Sequence, residues 1–232
     1  MTEAEGFSEF EVSIGGRTYS TGCLPRTTRC GGIEHVKIWT PEVEACPIVP
    51  RDQWITQPSS KPYEWKRINQ GKYPACTLAS LANYLHMFLA RMGRKRTEVD
   101  WLKAWRELSG GRGGGVALDA ALTYVMKRGF PLLDGSGALA AREAYDLPTM
   151  DAFFSAQELG FGAWFGASGH AEFSPSHALR DGAVRGVIEG TWDDDYGDGC
   201  WYERSEAYIA AGLPSYGAFC VREWELRPID LA

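Results

Sequence analysis

The order of two hydrophobic patterns along the chain limits the folds that it can adopt. From residue 76 onward, apolar side chains recur at steps of three and four, as on the buried face of a helix. This stripe consists of Leu78, Leu81, Ala82, Leu85, Phe88, Leu89 and Met92. Further helices are predicted at residues 97–108, 116–128 and 149–159. Strands are predicted at residues 161–165, 183–191, 201–209 and 218–226. Helices followed by strands predict an α+β fold in which the two kinds of element form separate layers.

Length, charge and cysteine content narrow the classes of function. The chain has 232 residues, a net charge of −6 and 44% hydrophobic residues, which predict one domain or two tightly joined lobes. Acidic and basic residues are mixed along the chain, so we expect no nucleic-acid partner. We expect no membrane partner either, because no apolar run approaches the roughly 18 residues of a membrane span. The first residues show no secretory signal, and the six cysteines lack disulfide-scaffold spacing. These features predict a protein of the cytoplasm or of a protein assembly.

Residues 69–76 end in a cysteine at the start of the first predicted helix. They read N-Q-G-K-Y-P-A-C and continue directly into the apolar stripe. The partial positive charge at a helix N-terminus favours the thiolate of Cys76, which is the reactive form of a thiol. Gln70, six residues earlier and next to a glycine, is able to place its side-chain amide beside the same sulfur. This amide and the backbone N–H of Cys76 would then form an oxyanion hole for acyl transfer.

This block resembles the N-Q-G-x-x-x-x-C block of the papain-like cysteine peptidases, in which the cysteine opens a long helix. Residues 48–54 (I-V-P-R-D-Q-W) resemble the mature start of that family, and the glycine-rich residues 110–115 resemble its substrate-binding loop. Residues 190–192 (G-T-W) and 196–199 (Y-G-D-G) are similar to its N-S-W-G…W-G-x-x-G block. The resemblance covers about residues 48–226. It implies a two-lobed papain-like fold, with a helical lobe at about residues 70–130, a β-rich lobe at about 131–232 and the active-site cleft between them.

The resemblance implies a thiol peptidase that hydrolyses peptide or protein substrates without a metal or an organic cofactor. Cys76 takes the nucleophile position and Gln70 the oxyanion-hole position. His177, in S-H-A-L, resembles the H-A-V strand start of the family and is the implied base, in preference to His170 in a glycine-rich stretch. Trp192 would shield the Cys–His pair from water. The implied substrate-binding residues are Gly113, Gly114, Ser176 and Trp192.

Residues 1–47 are predicted to form a β-rich arm or cap before the peptidase domain at residues 48–232. Two alternating runs, at residues 10–14 and 35–39, predict strands in this arm. Glycine pairs and prolines interrupt it, so it cannot form the long helix of an inhibitory propeptide. We therefore expect a fixed part of the molecule, or a docking element for an assembly partner, and not a removable inhibitor.

Two alternatives to a peptidase stay open. Gly190 stands where the family has the asparagine that orients the catalytic histidine, and neither Glu189 nor residues 193–195 can be assigned to replace it. The first alternative is a papain-fold protein that has lost activity and serves as a structural or binding subunit of a larger assembly. The second is a transferase or deamidase that uses the same Cys–His chemistry on a non-peptide amide. No zinc site is expected, because Cys23, Cys30, His35 and Cys46 lack the short C-x-x-C spacing of structural sites.

Overall fold

The computed structural model describes residues 11–14, 17–42, 46–54, 67–94, 96–111, 113–192, 197 and 201–228. The α-helices are α1 (Cys76–Arg91), α2 (Trp101–Leu108), α3 (Leu118–Arg128), α4 (Met150–Glu158) and α5 (Glu206–Tyr216). The first strands are β1 (Glu11–Ile14), β2 (Arg17–Ser20), β3 (Cys23–Leu24), β4 (Lys37–Ile38), β5 (Val116–Ala117) and β6 (Phe130–Pro131). The later strands are β7 (Ala138–Asp146), β8 (Ala163–Ala167), β9 (His170–Arg180), β10 (Ala183–Glu189), β11 (Trp201–Ser205) and β12 (Ala218–Arg227). A short 3-10 helix covers Arg51–Gln53.

An eight-stranded sheet forms the centre of the molecule. Its strand order is β11-β10-β9-β8-β12-β7-β4, and β6 pairs with β7. The neighbours are antiparallel, except that β4 runs parallel to β7. Residues alternate between its two faces, as in Trp164 and Phe165, so β7, β8 and β12 each supply two separate hydrophobic clusters. Helices α1, α2 and α3 complete one cluster, and α4 and α5 complete the other. The result is a mixed fold with helices on both faces of the sheet.

Helix α1 is the central helix of the first cluster. All but two of its 16 residues are buried, Phe88 and Arg91 being the exceptions. Its Tyr84 stacks on Phe173 of β9, with ring centroids 4.7 Å apart. The hydroxyl of Tyr84 also accepts a hydrogen bond from the backbone N–H of Val221 at 2.8 Å. Both contacts fix the position of α1 against the sheet, and therefore the position of its first residue, Cys76.

Several predicted elements have different bounds in the structure. Helix α2 begins at Trp101 and not near residue 97, because the side chain of Asp100 caps it by accepting from the N–H of Lys103 at 3.0 Å. Residues 201–209 were predicted as one strand, but β11 ends at Ser205, whose hydroxyl caps α5. Strand β7 had no counterpart among the predicted elements. Residue 10 of the first predicted arm strand lies outside the described residues.

The described part of the arm packs on the rest of the chain through buried polar contacts. Arg26 Nη2 lies 2.6 Å from Asp146 Oδ2, and both side chains are buried. The backbone N–H groups of Thr27 and Thr28 donate to Asp119 at 2.7 and 2.8 Å. Trp39 is only 1% exposed, and it packs in the second cluster. These contacts hold residues 26–39 against α3 and β7. Among the described residues, no helix has the length and apolar character needed to cross a membrane.

Candidate active site

Cys76 is the first residue of α1 and is fully buried. Its sulfur accepts a hydrogen bond from the backbone N–H of Ala171, with a nitrogen–sulfur distance of 3.4 Å. Ala171 is the second residue of β9, so the start of the helix meets the start of this strand. The turn before the helix is held by the N–H of Gln70, which donates to the carbonyl of Thr191 at 2.7 Å. The sequence block at residues 69–76 therefore meets two distant parts of the β-rich half of the chain.

His170 lies immediately before the amide that contacts the Cys76 sulfur. Its buried ring stacks on the indole of Trp192, with centroids 4.1 Å apart and an angle of 24° between the planes. Neither ring nitrogen has a hydrogen-bond partner among the residues that the structure describes. The structure therefore places His170 next to the residue that contacts the Cys76 sulfur, with Trp192 stacked on its ring.

The structure does not bring His177 to Cys76, and this corrects the sequence-based choice of histidine. His177 lies seven residues after His170 on the same strand, which at ~3.3 Å a residue is about 23 Å away. Its Nε2 lies 2.9 Å from Oε1 of buried Glu158, and its ring packs against Trp54 and Phe154. Ser176, predicted to bind substrate, is buried on the same distant part of β9.

A turn in the sequence could have identified His170. Ala167 and His170 are cross-strand partners, so Ser168 and Gly169 form a two-residue hairpin loop. Both residues have positive φ angles, 52° and 75°. Ser-Gly between two apolar runs is typical of such a loop, and it predicts that the second strand begins at residue 170. His170 is also followed by alanine, as is His177.

Gln70 is buried near the site, but its side-chain amide donates to backbone carbonyls. Nε2 lies 3.0 Å from the oxygen of Ser20 and 2.9 Å from the oxygen of Tyr73. Its Oε1 accepts from the hydroxyl of Thr191. Both amide hydrogens are thus used in this structure, and the predicted contact with the Cys76 sulfur is replaced by a contact with the Ser20 carbonyl. The amide does hold a carbonyl oxygen, as an oxyanion-hole donor must.

Residues 17–24 of the arm lie across these side chains. This segment, hereafter the strap, consists of β2, β3 and the two residues between them. Tyr19 stacks on Trp192 at 4.9 Å, and the indole N–H of Trp192 donates to the carbonyl of Ser20 at 2.7 Å. The N–H groups of Gly22 and Cys23 donate to the carbonyl of Gly169 at 3.2 and 2.9 Å. The strap therefore contacts residues on both sides of the Cys76–His170 pair. The sequence analysis did not anticipate this position.

The glycine-rich loop lines the strap on its other side. Val116 donates its N–H to the carbonyl of Gly22 at 2.8 Å, and a Cβ on Gly115 would lie 2.4 Å from the same oxygen. The carbonyl of Gly114 accepts from the indole of Trp105 at 3.1 Å, which fixes the loop on α2. Gly113, with a φ of 72°, gives the loop its turn. The predicted substrate-binding loop thus binds a segment of the chain itself.

Burial controls the electrostatics of the pair. Desolvation raises the pKa of Cys76 to about 12, although the backbone N–H of Ala171 opposes this change. Desolvation, with a smaller effect of the Arg204 charge, lowers the pKa of His170 to about 3. A low thiol pKa was expected from the helix N-terminus, but removal of water outweighs that effect. The covered site therefore holds a neutral thiol and a neutral imidazole.

Two further features of the site are the residue that would orient the catalytic histidine, expected around residues 189–190, and the groups that could hold a metal ion. Gly190 has no side chain to orient His170, and its carbonyl accepts from Nδ2 of Asn83 at 3.4 Å. Glu189 is buried opposite Phe173 of β9, and residues 193–195 lie outside the described residues. Within the described ranges, no group of three or more His, Cys, Asp and Glu side chains is placed to hold a metal ion.

Comparison with known proteins supports the architecture. No protein-family model matches the chain, and no curated protein matches its sequence. Among solved structures, digestive procathepsin L2 of Tenebrio molitor superposes with a TM-score of 0.69 at 11% identity, over 88% of this chain and 78% of its own. Xylellain, a cysteine protease from Xylella fastidiosa, gives 0.65 at 11% identity, over 87% and 95%. Procathepsin B of Trypanosoma congolense gives 0.64 at 12% identity, over 90% and 86%. The chain is therefore a divergent representative of the papain-like cysteine protease fold.

Proposed function

We propose that this chain is a thiol peptidase with Cys76 as nucleophile and His170, in place of His177, as general base. The observation that carries this assignment is the contact between the Cys76 sulfur and the amide of Ala171, the residue next to His170. Trp192 stacks on the imidazole and limits its rotation. A thiol at a helix N-terminus, next to a shielded imidazole, is the arrangement that acyl transfer through cysteine needs.

The reaction follows from these groups. His170 takes the proton of the Cys76 thiol, and the thiolate attacks the carbonyl carbon of a peptide bond. The negative charge on the carbonyl oxygen is stabilised by the side-chain amide of Gln70, which now holds the Ser20 carbonyl. His170 then gives its proton to the leaving amine. Water, deprotonated by His170, attacks the thioester, and Cys76 is released as the thiol.

Catalysis requires that the strap leave the cleft. The strap holds the Gln70 amide and packs on Trp192, and its Gly22 lies against the backbone of Pro74, two residues before Cys76. When water replaces it, the desolvation that raises the Cys76 pKa and lowers the His170 pKa is relieved. Both pKa values then move toward each other, so the thiol and the imidazole become able to exchange a proton near neutral pH.

Peptides or proteins are the proposed substrates. The cleft holds an extended backbone: β3 pairs with β5, and the strap donates two N–H groups to Gly169. These are hydrogen bonds to the main chain, which a substrate backbone is able to replace. Docking of the arm on a larger assembly remains a proposal, and it would use parts of the arm outside the strap.

The test compares three single variants for hydrolysis of a fluorogenic peptide library and of unfolded casein. All assays are repeated in the background of Gly22→Ala, which loosens the strap. We expect Cys76→Ala and His170→Ala to lose at least about a hundredfold in kcat/KM. His177→Gln, with its melting temperature checked, should stay within about threefold of its parent.

Two results would contradict the assignment. Equal losses from the His170 and His177 variants would remove His170 as the base. If Cys76 alkylates rapidly in the loosened background but no substrate is cleaved, the chain is a binding subunit with an intact thiol and not a peptidase.

A further inference from the structure

The strap carries a second thiol into the active site. Cys23 is 4% exposed and Cys76 is fully buried, and both are free. The Cys23 sulfur lies 2.9 Å from the point where a Cβ on Gly166 would stand. The Cys76 sulfur lies 3.4 Å from the nitrogen of Ala171. Gly166 and Ala171 are cross-strand partners in the β8–β9 hairpin, so their Cα atoms are about 5 Å apart. The two sulfurs therefore lie over neighbouring positions of one hairpin.

Two further contacts place the thiols together. The hydroxyl of Thr77, the residue after Cys76, acts on the pKa of both thiols, and the charge of Cys76 acts on Cys23. The backbone next to Cys23 also approaches the backbone before Cys76, because a Cβ on Gly22 would lie 2.1 Å from the carbonyl oxygen of Pro74. The segments that carry the two cysteines are therefore in van der Waals contact, and a disulfide forms between segments this close when their Cα atoms come within about 7 Å.

We propose that Cys23 and Cys76 form a reversible disulfide that locks the strap over the active site. The proposal rests on the peptidase function proposed above and adds its control by oxidation. The oxidant is a small-molecule disulfide such as oxidised glutathione. One thiolate attacks it, releasing one glutathione thiolate and leaving glutathione on the protein. The second cysteine, deprotonated, attacks that mixed disulfide, forms the Cys23–Cys76 bond and releases the second glutathione.

Burial explains why the Cys23–Cys76 disulfide forms slowly while the strap covers the site. Desolvation raises the pKa of Cys23 well above its ordinary value, as it does for Cys76. Exchange therefore begins when the strap lifts and water reaches the sulfurs, and the bond closes when the strap returns. Oxidation traps the closed state, in which the nucleophile of the proposed peptidase is consumed.

The chain offers a matched control pair. Cys46 and Cys220 are also buried and free, and the charge of Cys46 acts on the pKa of Cys220. They lie in the second hydrophobic cluster, away from the strap. General oxidation of buried thiols would link or modify this pair as well, whereas the lock concerns Cys23 and Cys76 alone.

The experiment incubates the full chain in graded ratios of reduced and oxidised glutathione, blocks free thiols in acid and maps disulfides by mass spectrometry without reduction. We expect a linked Cys23–Cys76 peptide pair, free Cys46 and Cys220, and return of both strap-site thiols after dithiothreitol. In Cys23→Ser, Cys76 should instead carry glutathione. Cys30 is a partly exposed thiol elsewhere on the arm, so the Cys30→Ser variant should form the Cys23–Cys76 disulfide as the parent does. Thermal melts of Cys23→Ser and of a second variant, Cys23→Ala, check that the disulfide is not lost because the protein has unfolded.

Two outcomes would overturn the proposal. One is that Cys23 and Cys76 stay free, or each keep glutathione, at ratios that oxidise Cys30. The other is that Cys46–Cys220 links as readily as Cys23–Cys76. Mass detects the link without any cleavage assay. If the disulfide forms but the reduced chain never hydrolyses peptides, the peptidase proposal is wrong and the disulfide proposal stands. If the chain hydrolyses peptides but the disulfide never forms, the disulfide proposal is wrong and the peptidase proposal stands.

Discussion

Gly22→Ala is the substitution that most directly tests whether the strap sets the reactivity of Cys76. The added Cβ would lie 2.1 Å from the carbonyl oxygen of Pro74, and the backbone φ of 142° is one that residues with side chains rarely adopt. The clashing atom belongs to the backbone that leads into α1, so it cannot move aside as a side chain would. The strap must therefore shift away from Pro74, and its hydrogen bonds to Gly169 must lengthen or break.

The size of the effect follows from the pKa of the thiol. With a pKa of about 12, only about one Cys76 in 10⁵ is a thiolate at pH 7. If hydration restores an ordinary pKa of ~8.5, the thiolate fraction rises about three-thousandfold. A less basic thiolate is also a weaker nucleophile, with a Brønsted coefficient of ~0.45, so the net gain in alkylation rate is about a hundredfold.

The assay is the rate of Cys76 alkylation by iodoacetamide at pH 7, read by mass spectrometry for each cysteine. Gly182→Ala is the control, because Gly182 also has a positive φ of 76° but no atom within 4 Å of its added Cβ. Buried Cys220 reports global unfolding. Faster hydrogen exchange in the strap, without a gain of more than twofold at Cys76, would refute the argument that the strap raises the pKa of this thiol.

Three further predictions concern stability, measured by urea denaturation. Asp146→Asn leaves the charge of Arg26 buried without its partner, and should cost about 3–5 kcal/mol; a loss below about 1 kcal/mol would contradict this. His170 has a folded pKa of about 3, below its unfolded value of 6.5, so its contribution to stability is complete above pH 6.5 and declines as the pH falls. The free energy of unfolding should therefore fall by about 2 kcal/mol between pH 7 and pH 5 because of this residue. His170→Phe should remove that part of the pH dependence, and an unchanged pH dependence would show that the imidazole is hydrated. Tyr84→Phe leaves the N–H of Val221 without its acceptor and should cost about 1–3 kcal/mol, and an equal stability would mean that water replaces the hydroxyl.

The parts of the site that were predictable depend on local sequence. Cys76 opens α1 because the apolar stripe begins there, and its helical position needs no knowledge of distant residues. Trp192 was expected, from its own short block, to shield the pair of Cys76 and His177, and in the structure it stacks on His170 instead. The choice between His170 and His177 depends on where β9 starts relative to α1. That register is set by the two-residue turn at Ser168 and Gly169, which was interpreted as part of an irregular glycine-rich stretch.

The strap was not predictable because its contacts join residues far apart in the chain. Ser20 meets Trp192 and Gly22 meets Gly169, and nothing in the sequence of residues 17–24 indicates these partners. Similarly, the helix propensity of residues 206–216 is weak because they contain Gly212 and Pro214, so tertiary packing on β8 decides the helical state of α5. Burial also reverses the expected pKa shift of Cys76, and burial is known only once the fold is known.

The anchoring of Arg26, Thr27 and Thr28 has a consequence for how ligands of the proposed peptidase would compete with the strap. Because the chain is held on Asp146 and Asp119 directly after the strap, a lifted strap stays within a few residues of the cleft. Rebinding is then intramolecular, with an effective concentration on the order of millimolar. An external peptide of equal intrinsic affinity, supplied at micromolar concentration, would occupy only about one cleft in a thousand. A ligand that displaces the strap must bind far more tightly than the strap does or react covalently with Cys76. The apparent Michaelis constant of a substrate should therefore be much larger than its dissociation constant from the open cleft.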